Sequence, residues 1–169
     1  MTIKKKVLLG VLILGGAISY SPLYADEVGY GAHGAENTID AELTLESMLN
    51  YAIEDEYLAR GEYQKIIATF GSERPFTNIL KAEEKHITWL EPLFIKYNIN
   101  IPEDRGMEEA VIPDDFDATF AIGVDAEIAN IDMYTRFLAQ DLPSDVRDVF
   151  ERLRNASENH LAAFQKRMK

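Results

Sequence analysis

The amino-acid sequence predicts an all-α protein, four amphipathic helices forming a bundle with a long crossover between the second and the third. Three observations carry this. Four stretches place apolar residues at alternating spacings of four and three, the period of a helix that buries one stripe. Two of the links between them, Gly71 to Pro75 and Asp141 to Ser144, are short enough to turn a helix back onto its predecessor. The remaining link, residues 98–114, is acidic, contains Pro102, Gly106 and Pro113, and shows no helical face.

Composition narrows the function before any motif is considered. The chain has 169 residues and no cysteine, which excludes disulfides, zinc knuckles, iron–sulfur clusters, thiol catalysis and lipid attachment through an N-terminal cysteine. Lys and Arg number 17 against 29 Asp and Glu, a net charge of -12, which argues against nucleic acid or an anionic membrane as a partner and suits a protein that attracts cations. Residues 1–25 have the order of an export signal: basic Lys4 to Lys6, an apolar run from Val7 to Ile18 too short to span a bilayer comfortably, Ser21-Pro22, and a cut after Ala25. The mature protein is therefore expected to be exported, periplasmic or secreted. Residues 26–39, with Gly29, Gly31 and Gly34, are expected to be a flexible lead-in in which His33 is an unconstrained loop histidine. The bundle domain occupies residues 40–169.

The first helix begins at about Asp40, with Thr44 as an alternative start, and stops at Gly71. Leu45, Leu49, Ala52, Glu56, Ala59, Tyr63, Ile66 and Phe70 form its inward seam, leaving Glu54 and Glu62 on a solvated face. Pro75 suits the first turn of the second helix. That helix carries Phe76, Leu80, Glu83, Ile87, Leu90, Phe94 and Tyr97 inward, with His86 beside Glu83 and Pro92 expected to kink or end it. A helix of about 25 residues is roughly 37 Å long, and about a dozen extended residues cover that distance. Residues 98–114 can thus return the chain so that the third helix runs parallel to the second. The third helix turns Phe120, Val124, Glu127, Ile131, Tyr134 and Leu138 inward. The fourth, with Ser144 as its expected N-cap, turns Val146, Phe150, Leu153, Ser157, His160 and Phe164 inward and ends in basic residues that suit the helix dipole.

Each seam thus holds a polar residue near its midpoint: Glu56, Glu83, Glu127, and Ser157 with His160. Mid-helix residues meet in one layer of a bundle. Glutamates are almost never fully buried unpaired, and an isolated buried carboxylate costs several kcal/mol. Three of them with no Lys or Arg on the neighbouring seams demand protons or a cation, and a divalent metal answers the demand. His86 follows Glu83 by three residues, which puts both on one helix face. The opposing reading is that a rotation of one helix by about 100° carries its glutamate to the surface, leaving a metal-free helical interaction module.

Glu56-Tyr57-Leu58-Ala59 with Tyr63, Glu83-x-x-His86, Glu127-x-x-Asn130 and His160 resemble the ferritin-like superfamily, rubrerythrin most of all. More narrowly, residues 54–60, 83–86 and Ser157-Glu158-Asn159-His160-Leu161-Ala162-Ala163-Phe164 resemble an uncharacterised family of exported ferritin-like domains. The resemblance covers nearly all of residues 40–166 and implies Glu56, Glu83, His86, Glu127 and His160 as metal ligands. Asn130 and Ser157 stand beside them, and Tyr63 and Tyr134, on adjacent seam positions, either hydrogen-bond the ligands or are simply core aromatics. Two positions depart from the di-iron pattern: Ser157 stands where rubrerythrin has a glutamate, and Asn130 where it has another. One metal held firmly, or two with added solvent ligands, follows from the carboxylates that remain. Carboxylate with imidazole suits iron first, with manganese or zinc as alternatives. With iron, the resemblance implies reaction with dioxygen or peroxide, fed by an external reductant because the chain lacks a cysteine-rich electron-transfer module. Metal sequestration without turnover needs no reductant. Oligomeric state is not legible in the sequence.

Overall fold

The computed structural model describes residues 29–168, so the expected signal segment, 1–25, and the start of the lead-in lie outside the described residues. All regular structure among the described residues is helical: α1 (Ala32–Glu36), α2 (Leu45–Phe70), α3 (Phe76–Tyr97), α4 (Gly106–Glu109), α5 (Phe116–Leu138) and α6 (Ser144–Arg167). α2 packs on α3 and α5 on α6 across the short links, while α3 meets α6 and α2 meets α5. The four long helices thereby enclose one interior.

Local chemistry sets the helix ends. Thr44, rather than Asp40, starts α2: its hydroxyl accepts the Ser47 N–H at 3.1 Å, and the Ser47 hydroxyl accepts the Thr44 N–H at 2.9 Å. Two donors without helical partners are satisfied reciprocally. Asp40 to Glu42 instead form a single 3₁₀ turn. Gly71, at φ 101°, ends the helix in a conformation that other residues rarely adopt. α3 continues through Pro92 to Tyr97, so the proline does not end it. Thr88, whose carbonyl loses its helical partner to Pro92, lies on the exposed side, open to solvent. Asn98 then closes α3 in the left-handed region, and the Ile99 N–H donates to the Phe94 carbonyl at 2.9 Å. Ser144 is the first residue of α6 rather than its cap; Pro143 precedes it and makes no side-chain cap.

The interior is divided. One apolar cluster gathers Leu49, Ile53, Leu90, Phe94, Tyr134, Phe137, Phe150 and Leu153, and a second gathers Tyr63, Ile66, Phe76, Ile79, Phe120 and Phe164. The first cluster precedes the second along α2 and α6, and the order is reversed along α3 and α5. In every long helix the buried glutamates and histidines, with Asn130 and Ser157, fall between the two; buried Thr119 lies outside this layer, at the start of α5.

The glycine-rich segment expected as a flexible lead-in is instead packed structure from residue 29 onward. α1 lies against α2 and α5; Tyr30, Ala32 and Ala35 are buried. The Asp55 carboxylate accepts the Ala32 N–H at 2.9 Å. Arg136 donates to the Ala35 carbonyl at 2.9 Å and to Asp40 at 2.8 Å. Gly34 permits this, since a Cβ there would overlap the Gly29 carbonyl and the Tyr51 ring. His33 lies on α1 rather than in a loop, with its side chain exposed and 3.8 Å from Glu36.

The long connection also differs from expectation. It carries one helical turn, α4, which lies across α2 where Gly106 meets Gly61. With α1 and α4 covering it, α2 has no fully solvated face, and Glu54 and Glu62 are half-buried rather than solvated. Burial, and after it the Glu127 carboxylate, push Glu62 up to about 7.

Candidate metal centre

The layer between the two apolar clusters contains Glu56, Glu83, His86, Glu127, Asn130, Ser157 and His160, every one of them buried. Each of the four long helices supplies at least one. The three glutamates are only 2–3% exposed, so no helix is rotated far enough to carry its glutamate to the surface.

Glu83 is the centre of the layer. Its Oε2 lies 2.7 Å from His86 Nδ1, and its Oε1 lies 3.2 Å from His160 Nδ1. Glu56 Oε2 approaches His86 Nδ1 at 3.0 Å on one side, and Glu127 Oε1 approaches His160 Nδ1 at 3.4 Å on the other. The result is two groups with one shared member: Glu56, Glu83 and His86, and Glu83, Glu127 and His160. Within each group one potential ligand atom per residue lies within 4.8 Å of the others. The two imidazoles face each other with ring centroids 5.8 Å apart.

Both tyrosines expected near the site are there. Tyr134 donates its hydroxyl proton to Glu56 Oε1 at 2.9 Å, and Tyr63 donates to Glu127 Oε1 at 3.2 Å. These bonds fix the carboxylates that flank Glu83. Two buried oxygens of this layer are without a hydrogen-bond partner, Glu127 Oε2 and Asn130 Oδ1. They lie one helical turn apart on α5. Buried acceptors without donors are costly; a proton, a water or a cation would each supply what they lack.

The electrostatics point the same way. Burial pushes the Glu56 carboxyl up, and the Glu83 charge beside it pushes it further. Burial likewise raises Glu127. Burial acts to lower His86, but the Glu56 and Glu83 carboxylates outweigh it and lift the imidazole to about 10. His160 follows the same pattern, with Glu127 and Glu83 lifting it to about 9. Without a metal, protonated imidazoles therefore offset part of the carboxylate charge, and the raised Glu56 and Glu127 carry less of it.

No protein-family model and no curated protein matches this chain. Its structure is similar to the crystal structure of a hypothetical protein from Methanococcus jannaschii, with a TM-score of 0.66 and 22% identity, over 73% of this chain and 78% of that one. That likeness shows a shared helical fold.

All nine residues singled out in the sequence lie in or against this layer. Sequence reasoning missed Trp89, whose ring lies 5.1 Å from the His86 ring between centroids. The signal was available in its position, three residues after His86 and hence on the same face of α3.

Proposed function

We propose that this chain is an exported, ferritin-like four-helix bundle that binds a divalent metal, iron foremost, through Glu56, Glu83, His86, Glu127 and His160 and reduces peroxide or dioxygen there. The observation that carries the reading is the position of Glu83, one buried carboxylate shared by two histidines and flanked by two more carboxylates. The donor set fits: carboxylate and imidazole are ligands for Fe(II), Mn(II) or Zn(II). The orphaned Glu127 Oε2 and Asn130 Oδ1 add acceptors for a cation, and no Lys or Arg ion pair occupies the layer among the described residues. The reversed order of the apolar clusters along α3 and α5 supports parallel running of these two helices and a crossover through residues 98–115. Bound iron supplies one-electron chemistry toward oxygen species. The protein's part is to hold the metal, orient its ligands through Tyr63 and Tyr134, and keep bulk water out.

Sequestration without turnover is the second reading, favoured by the absence of cysteine and so of any iron–sulfur electron carrier in the chain. An external reductant is required for the first reading and not for the second. A metal-free interaction module is disfavoured by glutamates only 2–3% exposed.

Melting with and without chelator, at two pH values, tests the metal reading. The folded-state pKa values of His86 and His160, about 10 and about 9, lie above the usual 6.5. Their stabilisation of the metal-free chain is therefore fully present below pH ~6.5 and lost as the pH rises through 9 to 10. Metal binding needs those protons to leave, so its affinity rises over the same interval. A metal at a hundred times its dissociation constant adds about 2.7 kcal/mol. The gap in melting temperature between metal-loaded and chelated protein should be small at pH 5 and wide at pH 8. Equal melting under all four conditions counts against a metal at this site.

Export follows from the order of residues 1–25, and N-terminal sequencing of protein from the native host should find a start near Asp26. Recovery of intact Met1 or Thr2 contradicts it.

A further inference from the structure

Trp89 is the sole tryptophan of the chain, and it stands between the buried layer and solvent. One side of its ring meets His86 at 5.1 Å between centroids, with the planes tilted by 37°. The residue is half-buried and so partly open to solvent, and the Lys85 ammonium sits 5.2 Å above the ring. Tyr63 and Tyr134 are also within the site, but they are 2% and 0% exposed and their hydroxyl protons are held by Glu127 and Glu56. A reductant has no access to either. Trp89 is the aromatic group of the layer that touches a histidine of the site on one side and water on the other.

We propose that Trp89 supplies the second electron when peroxide is reduced by a single iron held by Glu56, Glu83 and His86. This rests on the iron reading above and adds a redox-active side chain to it. Hydrogen peroxide takes up two electrons and two protons to become two waters. Bound iron would supply one electron. The Trp89 indole provides the other and releases its N–H proton, and one more proton comes from solvent. The Lys85 cation over the ring disfavours an indole radical cation, so electron and proton leave together and a neutral radical remains. A one-electron reductant of the ascorbate class then returns the electron at the exposed edge, with a proton from water. One iron would supply a single electron, so a two-electron reduction needs a second source.

The test uses the full folded protein loaded anaerobically with one equivalent of Fe(II), mixed with hydrogen peroxide and freeze-quenched. Electron paramagnetic resonance should show an organic radical whose lines narrow when the protein carries ring-deuterated tryptophan, an unambiguous label in a chain with one tryptophan. Wild type should oxidise one Fe(II) per peroxide. Trp89→Phe should bind the same iron, show no such radical and consume two Fe(II) per peroxide. A wild type that binds iron, forms no tryptophan radical and already uses two Fe(II) per peroxide overturns the role of Trp89 while leaving the iron site standing. Narrowing with ring-deuterated tyrosine instead assigns the radical to tyrosine and also overturns it. Failure to bind iron at all defeats both readings. The labelled wild type decides the matter even if Trp89→Phe folds poorly.

Discussion

Glu83→Ala is expected to abolish stoichiometric metal binding, while Glu84→Ala, one residue further along α3, leaves it unchanged. Glu83 is 3% exposed and its two oxygens face His86 and His160, whereas Glu84 is exposed. Alanine at 83 removes the member common to both groups and leaves two buried imidazoles short of a partner. Breaking a buried pair by removing one partner costs about 3–5 kcal/mol, so the metal-free variant should also melt earlier. Glu83→Gln separates the two effects. It keeps the shape of the side chain and some hydrogen bonding but removes the charge, so it should lose most metal affinity with a smaller loss of stability. Anaerobic calorimetric titration with Fe(II) or Mn(II) reads the stoichiometry. Full binding by Glu83→Ala, or lost binding by Glu84→Ala, would refute the proposed site.

The second large effect is expected far from the polar layer, at Gly106. A Cβ built there would overlap the Tyr57 carbonyl, and one built on Gly61 would overlap Gly106 from the other side. Neither obstacle is a flexible side-chain tip; both are backbone. Gly106→Ala must therefore push α4 off α2, and overpacking of this kind costs about 1–3 kcal/mol, occasionally more. At about 2–4 °C per kcal/mol for a chain of this size, thermal unfolding should show a clear drop. Gly61→Ala strains the same contact, so the double variant should lose less than the sum of the singles. Met107→Ala is the control, since Met107 is 48% exposed and its loss should leave stability nearly unaltered. An unperturbed Gly106→Ala would mean that the connection does not rest on α2 as described.

Much of the interior was legible because a helix with one buried stripe writes it in the sequence at a period of 3.6. The α6 seam of Val146, Phe150, Leu153, Ser157, His160 and Phe164 is buried at every position. So are Glu56, Glu83 and Glu127. α2 was legible on one side only. Ile53 and Met48, away from the expected seam, are 0% and 3% exposed. They are covered through α1 and the neighbouring helices, and no periodicity within α2 records what a distant segment lays upon it. α5 was read slightly out of register: Val124, Ile131 and Leu138 are half-buried, while Met133 and Phe137 are 2% and 0% exposed. Gly123 is part of the reason, since it leaves room for the Phe164 ring on that face. The lead-in was misread because its glycines suggested freedom where they provide close approach, and because the anchors that hold it, Asp55 and Arg136, come from helices later in the chain.

That a single carboxylate belongs to both three-residue groups has a thermodynamic consequence. Two ions placed there cannot bind independently, because each draws on the same side chain. A first ion would order Glu83 for a second and at the same time withdraw part of its negative charge, so affinity at one position would depend on occupancy of the other. Such coupling is reciprocal by necessity: whatever factor an ion on the His86 side imposes on the His160 side is returned unchanged. The binding isotherm should depart from that of two identical, unlinked sites, and the sign of the departure measures whether ordering or charge dominates at Glu83.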